Sequence, residues 1–222
     1  MADFIPEENR LNLKVVFYGP ALSGKTTNLM QLHSQLMPER IGELMVLETR
    51  DDRTLFFDML PIGLKGGHGL DLRLKLYTVP GQVQHDSTRK AVLSRADGIL
   101  FVADSQRNQQ DNNAMAFGNL EENLEKVGLD IEAVPIVIQF NKRDMPDTVA
   151  EDELQQRWAH TPWSPLQMAS ALNGTGVVET FRELLDRLYT VADQEFRLAR
   201  DHGIERATFV ERLSARGSDA TP

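Results

Sequence analysis

The sequence has no cysteine in its 222 residues, which excludes disulfide frameworks, thiolate zinc sites, cysteine nucleophiles and a prenylated C-terminus together. No apolar run approaches the roughly 18 to 20 residues that a bilayer span needs. The five histidines (33, 68, 85, 160 and 202) show no H-x-x-x-H or related spacing, so no histidine-built transition-metal site is expected. Cations are the minority: 24 Lys and Arg face 33 Asp and Glu, a net charge of −9. That is the wrong sign for a general nucleic-acid binder, which must displace the counterions condensed on phosphates. The opening segment MADFIPEENR is acidic and lacks the basic stretch and apolar run of a secretory leader, and Ala2 stands where myristoylation needs glycine. The expectation is a cytoplasmic protein with no integral membrane segment. What is present is an ordinary globular composition, 41% hydrophobic and 26% charged, enough for one medium domain and an appendage.

Residues 13–18 (LKVVFY) form a short β-branched and aromatic run, followed by Gly19-Pro20 and then by Leu29, Leu32 and Leu36 at helical spacing. Further strands are expected at 44–48, 72–79, 99–103, 134–140 and 166–169, with helices around 86–95, 110–127 and 150–159. Alternation of the two predicts an α/β fold, a six-stranded, mostly parallel, doubly wound sheet with helices on both faces. The runs GILFVAD and VPIVIQF read as central strands, whereas Leu72, Leu74 and Leu76 alternate with Arg73 and Lys75, as expected near a sheet edge. From Val177 to about Phe196 the apolar positions trace one helical stripe, the closing helix of the domain. The expected division is a domain over 1–196 and a helical or flexible extension over 197–222. In the latter, Phe209, Val210 and Leu213 outline a short amphipathic helix that either frays or docks on a partner or on this same domain.

Directly after the first strand, Gly19-Pro20-Ala21-Leu22-Ser23-Gly24-Lys25-Thr26-Thr27 matches the P-loop pattern G-x-x-x-x-G-K-[ST] in the strand–loop–helix context that the pattern requires. The two glycines let backbone N–H groups and the helix N-terminus converge on a phosphate. Lys25 supplies a point charge to the β- and γ-phosphates, and the Thr26 hydroxyl suits Mg²⁺. This loop serves kinases, ATPases and GTPases alike. Asn141-Lys142-Arg143-Asp144 follows a buried strand two strands away. A carboxylate at Asp144 accepts from the guanine ring N–H and the exocyclic amine, two adjacent donors that adenine lacks. Asn141 braces that loop, the Lys142 stem covers the purine, and Ser170-Ala171-Leu172 offers backbone N–H groups to the guanine carbonyl.

With Thr78-Val79-Pro80-Gly81-Gln82, and with the stretches from Asp52 to Asp58 and from Phe101 to Gln106, these motifs resemble the Ras-like small GTPases, and most of all their bacterial MglA-type branch. The resemblance runs from about Leu11 to Leu188. It implies a GTP/GDP-controlled molecular switch of cell polarity and gliding motility, with GTP/GDP and Mg²⁺ as cofactors. Gln82 would orient the attacking water, Gly81 would turn its N–H to the γ-phosphate, and Thr54 would join Thr26 on Mg²⁺ and reach the γ-phosphate. Arg53 would act as an arginine finger in cis; on composition alone it reads as a surface arginine beside Asp51 and Asp52. Most Ras-like chains have a Mg²⁺-linked aspartate where this one has Thr78, which leaves Asp52 and Asp58 as possible replacements. Phe56, Phe57, Met59 and Leu60 read as packing, or, by resemblance, as part of a strand that shifts register between nucleotide states. The implied partners are a roadblock-fold, MglB-type activating dimer and polarity or motility effectors, with recruitment to the cell poles through such proteins. Two other readings stay open: a nucleotide-stabilised scaffold with little hydrolysis, favoured by the missing aspartate, and a phosphotransferase or ATPase, disfavoured by Asp144.

Overall fold

A computed structural model describes residues 2–38, 41–47, 57–65, 69–80 and 86–217. Its eight strands are β1 (Asp3–Ile5), β2 (Arg10–Tyr18), β3 (Met45–Leu47), β4 (Phe57–Lys65), β5 (Asp71–Thr78), β6 (Gly98–Asp104), β7 (Ile136–Asn141) and β8 (Gln167–Met168). They form one sheet in the order β3-β4-β5-β2-β6-β7-β8, with β1 antiparallel to the start of β2. Strands β5, β2, β6, β7 and β8 are parallel, and β3 and β4 extend the sheet antiparallel. The helices are α1 (Lys25–Gln35), α2 (Asp86–Leu93), α3 (Gln110–Lys126), α4 (Glu151–Trp158), α5 (Val177–Phe196), α6 (Leu198–His202) and α7 (Arg206–Leu213). Among the described residues no helix is long and apolar enough to cross a membrane.

Period-two alternation divides each central strand between two cores. Val15, Phe17, Leu100, Val102 and Val137 enter the layer shared with α1 and α5, while Val16, Tyr18, Phe101, Ile138 and Phe140 face α3 and α4. All residues of β6 and β7 are buried, as expected of strands covered on both faces.

The sheet departs from the expected six strands in two places. Strand β1 has only three residues, too few for a periodic signal. Strand β4 contains Pro61 and Gly63, which speak against a strand interior. Pro61 is tolerated because the regular pairing with β3 runs only over Phe57–Met59 and Pro61 itself only accepts, from Gly42 N–H at 2.9 Å, a bond that asks nothing of the proline nitrogen. As a result β5 lies two strands inside the sheet rather than near its edge. Its Leu72, Leu74 and Leu76 are fully buried, while Arg73 is exposed.

The segment after α5 folds back on the domain. Phe209 and Leu213 of α7, four residues apart, are buried. The Phe209 ring lies 5.5 Å from that of Tyr189 on α5, and the Tyr189 hydroxyl donates to the carbonyl of Ile204 at 2.9 Å. Beyond α7 the chain runs antiparallel to the end of α1: Met37 donates to Ala215 O (2.9 Å) and Gly217 donates to Gln35 O (3.0 Å).

Candidate functional site

The carboxyl ends of β2, β6 and β7 open onto one edge of the sheet, and the loops leaving them build the site. The loop after β2 needs its glycines. A Cβ on Gly19 (φ +140°) would lie 2.2 Å from Val102 O, and one on Gly24 (φ +98°) would lie 2.3 Å from the Asn141 side chain. Gly24 caps α1, whose first intrahelical bond joins Asn28 N–H to Gly24 O at 2.9 Å. The N–H groups of Lys25, Thr26 and Thr27 precede that bond and are the helix's orphan donors, pre-aimed at an anion. The Ser23 hydroxyl is buried without a hydrogen-bond partner among the described residues. A cradle that excludes any Cβ, three orphan N–H groups and an unpartnered hydroxyl together fit a phosphate. Leu22, at φ +62°, is exposed at the loop tip.

Lys25 is buried, and its ammonium donates to Gly19 O (3.0 Å) and Pro20 O (2.6 Å). Burial pushes its pKa down to about 8, and the nearby Arg89 guanidinium of α2 adds to the shift. A polyphosphate favours the charged lysine and raises that pKa again, so binding takes up a proton at alkaline pH. The dissociation constant is therefore expected to rise roughly tenfold between pH 7 and pH 9, with proton uptake visible by titration calorimetry in two buffers. A flat profile would remove Lys25 as the phosphate cation. For the protein without ligand the sign is opposite. The unfolded lysine holds its proton to about 10.5, so burial costs stability below about 8 and that cost is relieved as pH rises between the two values.

Beside the loop, Asp58 of β4 is buried and accepts from the hydroxyls of Thr26 (2.6 Å) and Thr78 (3.1 Å). Its own N–H donates to Thr78 Oγ1 at 2.9 Å. A hydroxyl that donates its proton to a carboxylate keeps its lone pairs for a cation. One carboxylate and two hydroxyls are hard oxygen donors of the kind that Mg²⁺ selects, so the residues fit that ion. Of the two possible replacements for the missing aspartate, Asp58 is here at the loop. Asp52 lies outside the described residues, as do Arg53, Thr54, Gly81 and Gln82.

The second half of the site is tied to the first by Asn141. Its amide donates to Ser23 O at 2.8 Å and its oxygen accepts from Ala171 N–H at 2.8 Å. Asp144 is exposed, and its carboxylate accepts from Ser170 Oγ at 2.5 Å. The Ser170–Leu172 loop thus differs in detail from a row of three free donors: the Ser170 N–H goes to Thr175 O (2.9 Å) and that of Ala171 to Asn141. The N–H of Leu172 has no hydrogen-bond partner among the described residues and is open to a ligand. Lys142, at φ +65°, ion-pairs with buried Asp104 at the end of β6 (2.7 Å). Asp104 is itself held by Asn113, which accepts from its N–H (2.9 Å) and donates to its carbonyl (2.8 Å).

Asp104, Asn113, Arg89 and Asn28 carry no local motif. The one legible signal was a carboxylate ending the apolar run GILFVAD. In total, the described residues bring together Gly19, Leu22, Ser23, Gly24, Lys25, Thr26, Thr27 and Thr78 on one side, and Asn141, Lys142, Asp144, Ser170, Ala171 and Leu172 on the other.

Two comparisons agree with this geometry. The sequence profile of the ADP-ribosylation factor family matches residues 5–188. The chain is also 43% identical over 180 residues to the mutual gliding-motility protein MglA of Myxococcus xanthus (strain DK1622), an alignment spanning 81% of this chain and 92% of that protein.

Proposed function

This chain belongs to the ADP-ribosylation factor family of small GTPases, and from that premise we propose how its residues bind GTP, cut it and convert the cut into a change of partner. It is a GTP-hydrolysing switch that binds GTP and GDP; a scaffold with little turnover is the less favoured reading. The observation that carries the residue assignment is the pair of Asn141 bonds, because one side chain holds the phosphate loop and the base loop to each other.

Lys25 and the first turn of α1 hold the polyphosphate, with the Ser23 hydroxyl available to it. Asp144, aligned by Ser170, pairs with the two donors on guanine, and the Lys142 stem lies along the purine while its ammonium is pinned to Asp104. Thr26 and Thr54 would hold Mg²⁺, with Asp58 supplying the carboxylate that Thr78 cannot, and the ion would supply charge neutralisation to the polyphosphate. Gln82 orients the attacking water. Gly81 contacts the γ-phosphate, and Arg53 places donors against the charge that develops there. Loss of the γ-phosphate releases the segment around Gly81 and Gln82, which changes the surface a partner meets.

The partners that follow from the resemblance of its motifs to the MglA-type branch are a roadblock-fold, MglB-type activating dimer and effectors of polarity or gliding motility, the last being the process that the Myxococcus relative's name gives. Such partners would also bring the chain to the cell poles. Residues 1–196 serve as the GTPase domain and 197–222 as its extension, folded back through α6 and α7.

The test is the nucleotide that the purified protein carries and how it leaves. GDP is expected to co-purify, and EDTA to accelerate its release at least tenfold. In Asp58→Ala, release in Mg²⁺ should already approach the EDTA rate. Protein that carries adenine nucleotide sinks the reading, and an unchanged Mg²⁺ effect in Asp58→Ala sinks the role of that carboxylate alone.

A further inference from the structure

Two residues before Asn141, on the same face of β7, stands a second amide. Strand alternation that sends Val137 into the α1/α5 layer sends Gln139 and Asn141 there as well. Gln139 is fully buried, as are its two partners, Asn28 of α1 and Thr180 of α5. Its Nε2 donates to Asn28 Oδ1 at 3.0 Å and to Thr180 Oγ1 at 3.1 Å. The chain of bonds continues at both ends. Asn28 Nδ2 donates to Gly24 O of the phosphate loop (2.9 Å), and Thr180 Oγ1 donates to Gly176 O at the head of α5 (2.6 Å).

The direction of these bonds is set from outside the amide. Asn28 uses its nitrogen on Gly24 and Thr180 uses its proton on Gly176, so each presents only an acceptor to Gln139. Gly176 in turn sits against the end of β8, where the chain enters the base loop: a Cβ there would lie 2.2 Å from Met168 O and 3.0 Å from Ala169 Cα. The result is two tiers of one construction. Asn141 joins Ser23 to Ala171, and Gln139, one pleat deeper, joins Gly24 to Gly176.

The deeper tier is costly by itself. Gln139 Oε1 is buried with no partner among the described residues, a penalty set against the two bonds that its Nε2 gives to the buried acceptors Asn28 Oδ1 and Thr180 Oγ1. Apolar side chains at all three positions would avoid it, so packing alone gives no reason for the polar link.

We propose that Gln139 is a positioning residue for guanine nucleotides, fixing the spacing between the grip on the phosphates and the grip on the base. This rests on the assignment of those two grips given above. A ligand held at two points gains from the second point only as far as the spacing is pre-set, because a fixed spacing raises the effective concentration of one grip once the other is filled. Loosening the link therefore weakens a ligand that spans both grips and spares one that uses the phosphate grip alone.

The experiment compares the full-length wild type with Gln139→Met, Thr180→Val and the double variant. It follows release of a fluorescent GDP chased by excess GTP, and the affinity for inorganic pyrophosphate, which meets only the phosphate loop. Gln139→Met is expected to release GDP about tenfold faster with pyrophosphate affinity unchanged. Thr180→Val should release it about threefold faster, and the double variant no faster than Gln139→Met, since the link is already cut. GDP release within threefold of wild type in Gln139→Met overturns the proposal. So does pyrophosphate binding that weakens as much as GDP binding, which would mean a distorted phosphate loop, and so does additivity in the double variant. Should Gln139→Met fail to fold, Thr180→Val, which removes only a hydroxyl, decides by the same GDP and pyrophosphate comparison with a twofold threshold. A wild type that carries no guanine nucleotide would sink the assignment of the grips, whereas normal GDP binding with wild-type release in the variants sinks only the spacing role.

Discussion

Asp144→Ala is expected to lower GDP affinity by roughly two to four orders of magnitude and to abolish the preference for guanine over adenine. Each hydrogen bond to a charged acceptor contributes about 1.5–3 kcal/mol, and guanine offers Asp144 two. Adenine presents neither donor, so with wild-type protein it leaves the carboxylate unpaired; in the alanine variant that difference disappears. The geometry supports a base-reading role. Asp144 is exposed, so most of its acceptor capacity is open to a ligand, while the Ser170 hydroxyl at 2.5 Å sets its orientation. Asp144→Asn separates charge from shape. It keeps the volume and a contact for Ser170, but it can present a donor where guanine also has one. Xanthine carries a carbonyl at that carbon, so the asparagine variant should gain in preference for xanthosine nucleotides. Competition titrations with GTP, ATP and XTP measure both variants. Guanine preference that survives in Asp144→Ala would remove the base assignment and the switch built upon it.

Gln82→Leu is expected to bind GTP as wild type does and to hydrolyse it at least a hundredfold more slowly when the activator is present. Unassisted sites of this class turn over at about 10⁻⁴ to 10⁻³ per second, and a correctly placed arginine adds roughly 10³ to 10⁵. A leucine preserves bulk but can neither accept from nor donate to the attacking water, so the ground-state complex persists while its transition state loses its guide. Arg53→Ala should show the same division between binding and chemistry, since a finger in cis acts on charge that appears only during transfer. Single-turnover hydrolysis with and without a roadblock-type activator reads both. Wild-type turnover in Gln82→Leu refutes the role of that residue. Normal hydrolysis in Arg53→Ala discards the cis arginine and leaves the switch standing.

Much of the molecule was legible before its structure. The strand–loop–helix around Gly19 to Thr27 has a local pattern because a phosphate cradle is made of consecutive residues, and the apolar runs GILFVAD and VPIVIQF announce buried strands by composition alone. The closing helix was equally plain, with its stripe at 177, 181, 184, 185, 188 and 192 buried. Strand β4 was hidden by Pro61 and Gly63, and that Pro61 has only to accept a bond, from Gly42 N–H, is a fact held by a different segment of chain. The extension was ambiguous for a related reason: whether Phe209 and Leu213 dock depends on the outer face of α5, which offers Tyr189 some twenty residues earlier in the chain.

The sequence by itself determined the two motifs proposed to grip the nucleotide and the order of the elements that carry them, since each motif is a short run whose chemistry resides in adjacent residues. Only the tertiary structure decided which carboxylate stands beside Thr26 and Thr78, where Lys142 is pinned, and that Gln139 bridges α1 and α5. Those partners lie 32, 20, 38, 111 and 41 positions apart, and no local periodicity can report a pairing that exists only once separate strands and helices have been packed side by side.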